Sequence, residues 1–129
     1  MKQTFSARDA APPVGPYSPA LRCGNWIFIS GQIPLDPLGN LITGDILQQT
    51  ERVLYNIKTQ LEATGCSMAD VCKTTIFLRN MEDFAAVNEI YGLAFPKPFP
   101  ARSTVEVTAL PKGAQIEIEA IALLPEGAS

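Results

Sequence analysis

The chain has 129 residues, a net charge of −3 at pH 7, three cysteines and no histidine. This length predicts a single domain, residues 1–129, with one core. Basic residues are scattered singly along the chain, so the sequence lacks the electrostatic footprint of a protein that binds nucleic acid or an anionic membrane. The absence of histidine excludes Ser-His and Cys-His mechanisms and removes the commonest metal ligand.

Targeting signals are not evident in the sequence. No apolar run is long enough to span a bilayer, and Met1–Phe5 does not resemble the start of a signal peptide. The cysteines are odd in number and lack CxxC spacing, which favours reduced thiols. We therefore expect a soluble, cytoplasmic protein.

The N-terminal part of the chain predicts a strand, a loop and a hairpin. Residues 2–7 can form a short edge strand, and the proline-rich residues 11–19 predict a rigid loop that presents Tyr17. Two segments rich in β-formers, residues 20–23 and 25–30, then predict a hairpin.

Two helices are predicted from their ends and their apolar spacing. Asp45 and Gln48 have the spacing of a capping box, and Gly65 is placed to end the first helix. Its predicted apolar stripe consists of Leu47, Val53, Leu54, Ile57 and Leu61. The second helix is predicted to begin at an N-cap, Asn80, and to end at Pro96. Its predicted stripe consists of Phe84, Val87, Tyr91 and Phe95.

Three further segments alternate in polarity as strands do. Residues 70–80 predict a strand, and residues 101–109 and 116–123 predict two more, separated by a turn with Pro111 and Gly113. On the first of these strands Cys72, Thr74, Ile76 and Leu78 are predicted to lie on one side.

The last two strands pose a packing problem. If they pair as neighbours, Arg102 lies on the same sheet face as Glu117 and Glu119. One interpretation is a solvated face with cross-strand ion pairs, but Ile121 and Leu123 share it, and water is a poor environment for two large aliphatic side chains. We therefore expect an α+β fold, a single mixed β-sheet with two helices packed on one face, whose other face is covered in a closed homo-oligomer.

Four motifs carry a resemblance to a known family. They are Gly15-Pro-Tyr-Ser18, Ile29-Ser-Gly-Gln-Ile33, Pro100-Ala-Arg-Ser103 and Ile116-Glu-Ile-Glu119. In this combination and order they resemble the RidA/YjgF family of imine and enamine deaminases, over essentially the whole chain. The resemblance implies a chorismate-mutase-like fold and a homotrimer with its sheets facing inward and its ligand clefts between subunits.

The resemblance also implies an activity, the hydrolysis of 2-imino and enamino acids of the 2-aminoacrylate type to 2-oxo acids and ammonia, which protects pyridoxal-phosphate enzymes. Arg102 suits the substrate-carboxylate anchor, because its planar fork binds bidentately; the alternative is a surface ion pair with Glu106 or Glu117. Glu119 is the candidate that orients water and moves protons, and Glu117 is assigned to structure. Small imines already hydrolyse in water, so we expect no metal and no organic cofactor.

The remaining predicted site residues surround the substrate. Thr104 stands where many relatives carry cysteine; its backbone is implied to act, which argues against a thiol mechanism. Gly31 would offer a backbone N–H beside Ser30, because a missing side chain permits close approach. Tyr17 would close the cleft or, alternatively, pack on a neighbouring turn, and Asn88 would help to line the cleft.

Other functions remain open from the sequence. A non-catalytic trimer could bind a 2-oxo acid or a similar metabolite at Arg102 as a sensor or carrier, and Glu119 would distinguish this reading from an enzyme. An RNA-directed translation inhibitor is disfavoured, because the chain has no basic stripe or stacking platform. A purely structural or chaperone-like role has no sequence feature of its own.

Overall fold

The computed structural model describes residues 1–125 and contains six strands and two α-helices in this range. The strands are Lys2–Phe5 (β1), Ala20–Cys23 (β2), Trp26–Gln32 (β3), Val71–Leu78 (β4), Ala101–Glu106 (β5) and Ile116–Leu123 (β6). The helices are Ile46–Thr64 (α1) and Phe84–Ala94 (α2). One mixed sheet has the order β1-β2-β3-β6-β4-β5, in which only β4 and β5 are parallel neighbours. The predicted α+β fold and the N-terminal edge strand are confirmed.

The predicted capping box of α1 is confirmed. The Asp45 carboxylate accepts from the Gln48 amide, and the Gln48 side chain accepts from the Asp45 amide, each at 3.0 Å. The helix ends at Gly65, whose φ of 93° is left-handed. Leu47, predicted on the apolar stripe, is exposed instead; Ile46, one residue earlier, packs against the core. Neither described helix combines the length and apolarity needed to cross a bilayer.

The core face of β4 differs from the prediction at its first position. The register between β4 and β6 shifts between Val71 and Lys73, so Val71 is buried and Cys72 is exposed. The extra residue of such a bulge reverses the alternation, and the sequence pattern does not reveal it. Beyond the bulge the prediction is confirmed, because Thr74, Ile76 and Leu78 are buried.

The last two strands are not neighbours, because β4 lies between β5 and β6. Arg102 pairs with Thr74, which is 1% exposed beneath the helices, so the guanidinium lies on the helix face of the sheet. Glu119 pairs with Thr75, which neighbours Thr74 and therefore points to the other face of the sheet. Glu117 lies on that same face as Glu119, away from the helices. The prediction that all three charged groups share one face is therefore wrong. A helical connection such as α2 places β5 parallel to β4, and adjacency in the polarity pattern carries no information about this choice.

The sheet face away from the helices is apolar, as predicted from Ile121 and Leu123. Across β3 and β6, Phe28 pairs with Ile121, and Trp26 pairs with Leu123. Trp26, Phe28 and Leu123 are 45%, 41% and 41% exposed. A contiguous apolar surface of this kind marks an interaction site. We call these four residues the open-face patch.

Candidate functional site

A cavity of about 380 Å³ lies where β3 ends. Its walls are the loop Ala10–Val14, the strand end Ser30–Ile33, and Pro111 with Lys112 from the turn before β6. A register shift between Ile29 and Gln32 interrupts the pairing of β3 with β6, which resumes where Gln32 pairs with Ile118, and Ser30 and Gly31 at this irregularity line the cavity.

The absence of a side chain at Gly31 allows the Glu117 carboxylate to lie directly against the backbone of β3. A Cβ atom at Gly31 would lie 1.8 Å from Oε2 of Glu117, so only glycine leaves room for this side chain in its present position. Burial, and second the negative charge of Glu119, raise the pKa of the Glu117 carboxyl above its usual range. A carboxyl with a raised pKa exchanges protons near neutral pH more readily than a solvated one.

The cavity therefore contains the glutamate that the sequence analysis assigned to structure. Glu117 lines the cavity, whereas Glu119 is exposed and is not among the lining residues. The catalytic role of Glu119 stays a prediction. The two side chains lie on the same face of β6, so the alternating polarity of the sequence gives no reason to prefer either as the proton-transfer group. The position of Glu117 in the cavity, against Gly31, distinguishes them.

Tyr17, Ser30 and Gly31, three of the predicted substrate-binding residues, do come together in this cavity. The Ser30 hydroxyl donates to the carbonyl of Ser18 at 2.6 Å, and the Ser30 backbone amide donates to the carbonyl of Pro19 at 3.0 Å. Ser30 thus fixes the proline-rich loop against β3. We call Tyr17, Ser30, Gly31 and Glu117 the cavity group.

Arg102 lies in a different place, on an aromatic platform formed by α2. Its guanidinium carbon is 4.9 Å from the ring centre of Tyr91 and 5.5 Å from that of Phe84. The Tyr91 hydroxyl is itself held by Thr74 at 2.7 Å. Ring faces attract the cation without offering an oxygen acceptor, so these contacts leave the guanidinium N–H groups able to bind a carboxylate.

Two buried polar atoms near this arginine have no hydrogen-bond partner within residues 1–125, namely Asn88 Oδ1 and Thr104 Oγ1. Asn88 lies one turn from both platform aromatics of α2, and Thr104 pairs with Ile76, so it too faces the helices. Buried polar atoms are costly unless they are paired, which makes this position receptive to a polar ligand. We call Arg102, Asn88 and Thr104 the arginine group.

The sequence left open an ion pair between Arg102 and Glu106, but Glu106 is held by a backbone amide instead. Its carboxylate accepts from the backbone amide of Met81 at 2.7 Å, at the turn that leads into α2. This contact joins the end of β5 to the start of the helix that carries Asn88 and the aromatic platform.

The arginine group and the cavity group do not share a cavity. None of the arginine group lines the cavity described above. In the sheet, β6 and β4 separate β3 from β5; at about 4.8 Å per strand, the β3 and β5 axes are roughly 14 Å apart. Arg102 and Glu117 also lie on opposite faces of the sheet, so within one chain the two groups do not form a single site.

Comparison with known proteins identifies the family. The sequence profile of the family described as Endoribonuclease L-PSP matches residues 8–124. The chain belongs to the RidA/YjgF family. A RutC family protein of Pyrococcus horikoshii is 52% identical, over 95% of this chain and 98% of the relative. A protein of Dermatophagoides farinae named 2-iminobutanoate/2-iminopropanoate deaminase is 44% identical, over 95% of this chain and 97% of its own.

Solved structures of RidA/YjgF relatives have the same fold. The crystal structure of a putative endoribonuclease from Thermotoga maritima superposes with a TM-score of 0.93 at 49% identity, covering 98% of this chain and 100% of that one. The fold that the four sequence motifs implied is therefore confirmed.

Proposed function

We propose that the chain hydrolyses 2-imino and enamino acids to 2-oxo acids and ammonia in a cleft built by two subunits of a homotrimer. The observation that carries the proposal is the pair of complementary half-sites: an arginine with unpaired buried polar atoms near it, and a separate cavity lined by a carboxyl whose pKa is raised by burial. A relative 44% identical over most of both chains bears the name 2-iminobutanoate/2-iminopropanoate deaminase, which supports the reaction class.

A second subunit would bring the half-sites together. The roughly 14 Å between the β3 and β5 axes exceeds the length of a small imino acid. The open-face patch, with Trp26, Phe28 and Leu123 at 41–45% exposure, provides apolar surface for copies of the same chain to pack against. We propose that the arginine group of one subunit faces the cavity group of the next.

In this cleft Arg102 would anchor the substrate carboxylate bidentately, because its guanidinium is held on the Tyr91 and Phe84 rings. Asn88 and Thr104 would gain the hydrogen bonds they lack. Gly31 lines the cavity, and its N–H would also bind the carboxylate.

Glu117 would supply the proton transfers. As a carboxylate it accepts a proton from water while the hydroxyl adds to the imine carbon and the imine nitrogen takes up a proton from solvent, which gives a carbinolamine. The protonated Glu117 then returns its proton to the amino nitrogen. The C–N bond breaks, ammonia leaves, and the hydroxyl proton passes to solvent, which completes the 2-oxo acid and balances the proton taken up in the first step. The raised pKa of this carboxyl supports both directions of transfer.

The physiological role we propose is the disposal of 2-aminoacrylate-type intermediates that pyridoxal-phosphate enzymes release. Hydrolysis would protect those enzymes from covalent attack by the enamine. No metal or organic cofactor is needed for this reaction, because positioning one water and neutralising one carboxylate suffices to accelerate an already facile hydrolysis.

The test is the release of ammonia or 2-oxo acid when purified protein is added to a 2-imino acid that an amino-acid oxidase generates in the same vessel. We expect acceleration by the wild type, loss of acceleration in Arg102→Ala, and full activity in Arg22→Ala. Arg22 is a matched control because it is also a strand arginine, bonded to the carbonyl of Gly24 rather than placed in either half-site.

An inactive wild type would contradict the proposal. If such a protein still bound 2-oxobutanoate, and Arg102→Ala abolished binding, the sensor or carrier function would replace the enzyme.

The family description also names an endoribonuclease, and the same preparation tests that function with RNA. We expect no RNA binding at physiological salt, because the net charge is −3 and no histidine is available for general acid–base cleavage. Salt-resistant RNA binding with cleavage would contradict this expectation.

A further inference from the structure

Helix α1 carries a second buried stripe, made of carboxamides instead of apolar side chains. Gln49, Asn56 and Gln60 are 5%, 9% and 1% exposed. Amides so deeply buried destabilise a fold unless their hydrogen bonds are satisfied, so their partners show what the stripe is for.

All three carboxamides bind backbone groups that lie outside the helix. The Gln60 side-chain oxygen accepts from the Ala7 amide at 2.9 Å, at the start of the loop that forms one cavity wall. The Gln49 oxygen accepts from the Gln115 amide at 3.1 Å, next to β6. The stripe therefore holds segments that lie outside the six strands.

Asn56 has the most direct relation to the site, because it lines the cavity itself. Its Nδ2 donates to the carbonyl of Ile33 at 3.2 Å and to that of Leu35 at 3.1 Å. These carbonyls belong to the stretch that follows Gln32, the last residue of β3 that pairs with β6, just beyond the register shift at Ser30 and Gly31. The six-stranded sheet does not extend to these residues. An isolated bridge between Leu35 and Leu41 and the Asn56 side chain hold the backbone there instead.

The position of Gly31 matters because Glu117 occupies the space that a Cβ at Gly31 would fill, with Oε2 only 1.8 Å from that point. A small shift of the wall would either press on the carboxylate or open it to water. We propose that Asn56 is a positioning residue of the site, which holds the segment from Gly31 to Leu35 so that the Gly31 backbone and the Glu117 carboxylate keep their mutual geometry.

The consequence for turnover rests on the proposed function. A displacement of about 1 Å in a catalytic constellation can lower the rate roughly a hundredfold. Asn56 does not belong to the arginine group, so its loss is expected to lower kcat while KM, which reflects carboxylate anchoring, stays within about twofold of the wild type.

The first test compares Asn56→Leu, which keeps the side-chain size and removes both donors, with Thr50→Val. Thr50 is fully buried on the same helix, but its hydroxyl bonds only the Ile46 carbonyl at 2.7 Å and does not line the cavity. We expect Asn56→Leu to lower kcat about ten- to a hundredfold and Thr50→Val to leave it unchanged. Asn56→Ser, which is smaller and keeps one donor, should fall between wild type and Asn56→Leu and serves if the leucine variant does not fold.

The second test does not depend on activity. Amide hydrogen exchange should accelerate selectively over Gly31–Leu35 in the Asn56 variants and not in Thr50→Val. Unchanged kcat, or exchange that accelerates uniformly or not at all in this segment, would overturn the positioning role. If the wild type proves inactive but the selective exchange is seen, the proposed function fails and the positioning role of Asn56 stands.

Discussion

Exchanging Glu117 for glutamine removes one proton acceptor from the cavity and keeps the side-chain shape. The structure places this carboxyl against Gly31, half-buried, with its pKa raised chiefly by burial. A positioned general base contributes about 10²- to 10⁴-fold to rate. We therefore expect Glu117→Gln to lower kcat by roughly 10²- to 10⁴-fold, with KM nearly unchanged because Arg102, the proposed anchor of the substrate, is still present.

Glu119→Gln is the matched control, because it makes the same chemical change two residues away on the same face of β6. Its side chain is exposed and does not line the cavity. We expect kcat at neutral pH to change less than about threefold, as for most surface substitutions. The negative charge of Glu119 is the second cause of the raised pKa of Glu117, so its removal should move the acidic limb of the pH–rate profile to lower pH.

The assay is oxidase-coupled ammonia release, recorded for both variants as a function of pH. If Glu119→Gln abolished turnover while Glu117→Gln kept it, the assignment from cavity geometry would be refuted, and the role predicted from the sequence for Glu119 would be correct. Losses of equal size in both variants would also contradict a single carboxylate that moves both protons.

Glu117→Gln, which we expect to lower activity, should raise stability at neutral pH. A folded-state pKa raised above the ordinary value of 4.5 means that the native state binds the proton more tightly than the unfolded chain does. Ionising Glu117 therefore lowers the free energy of unfolding as pH rises from that value through the folded-state pKa. Glu117→Gln should remove this loss, so its Tm at pH 7 should exceed that of the wild type, and the difference should vanish at low pH.

Three further changes follow from the same contacts. Gly31→Ala should leave the fold intact, because the flexible end of Glu117 can move away from the new methyl group, but activity should fall at least tenfold; wild-type kcat would contradict the close approach. Tyr91→Phe should lower the free energy of unfolding by about 1–3 kcal/mol in urea titrations, because it leaves the buried Thr74 hydroxyl unpaired; an unchanged midpoint would contradict that cost. Phe28→Asp should yield monomers in sedimentation, since it places a charge in the open-face patch, whereas Leu93→Asp on the outer, 86% exposed position of α2 should remain assembled; intact trimers of Phe28→Asp would argue against this interface.

Local sequence signals predicted the elements well, because their causes are local. The capping box of Asp45 and Gln48 depends on residues three apart, and it forms as predicted. The bulge at Cys72 depends instead on the register between β4 and β6, which are far apart in sequence, and a period-two pattern cannot report it.

The site was predicted in part for the same reason. Tyr17, Ser30 and Gly31 meet as expected, because Tyr17 lies in the loop that leads into the β2–β3 hairpin, and Ser30 and Gly31 lie at the end of the second strand of that hairpin. Arg102 was placed beside the wrong partners, because strand order depends on the α2 crossover. The sequence pattern assigns Glu117 to structure and does not reveal its position against Gly31, because that contact joins β6 to β3 across the chain.

The central claim is that each cleft takes its arginine group from one subunit and its cavity group from another. The direct test is to unfold and refold an equal mixture of Arg102→Ala and Glu117→Gln chains, each inactive alone. In a cyclic assembly with random mixing, a cleft is intact when its arginine comes from a Glu117→Gln chain and its glutamate from an Arg102→Ala chain, which occurs in about one quarter of clefts. We therefore predict recovery of roughly a quarter of wild-type activity. If the mixture assembles and stays as inactive as its components, both groups act within one subunit, and the account of the site is contradicted.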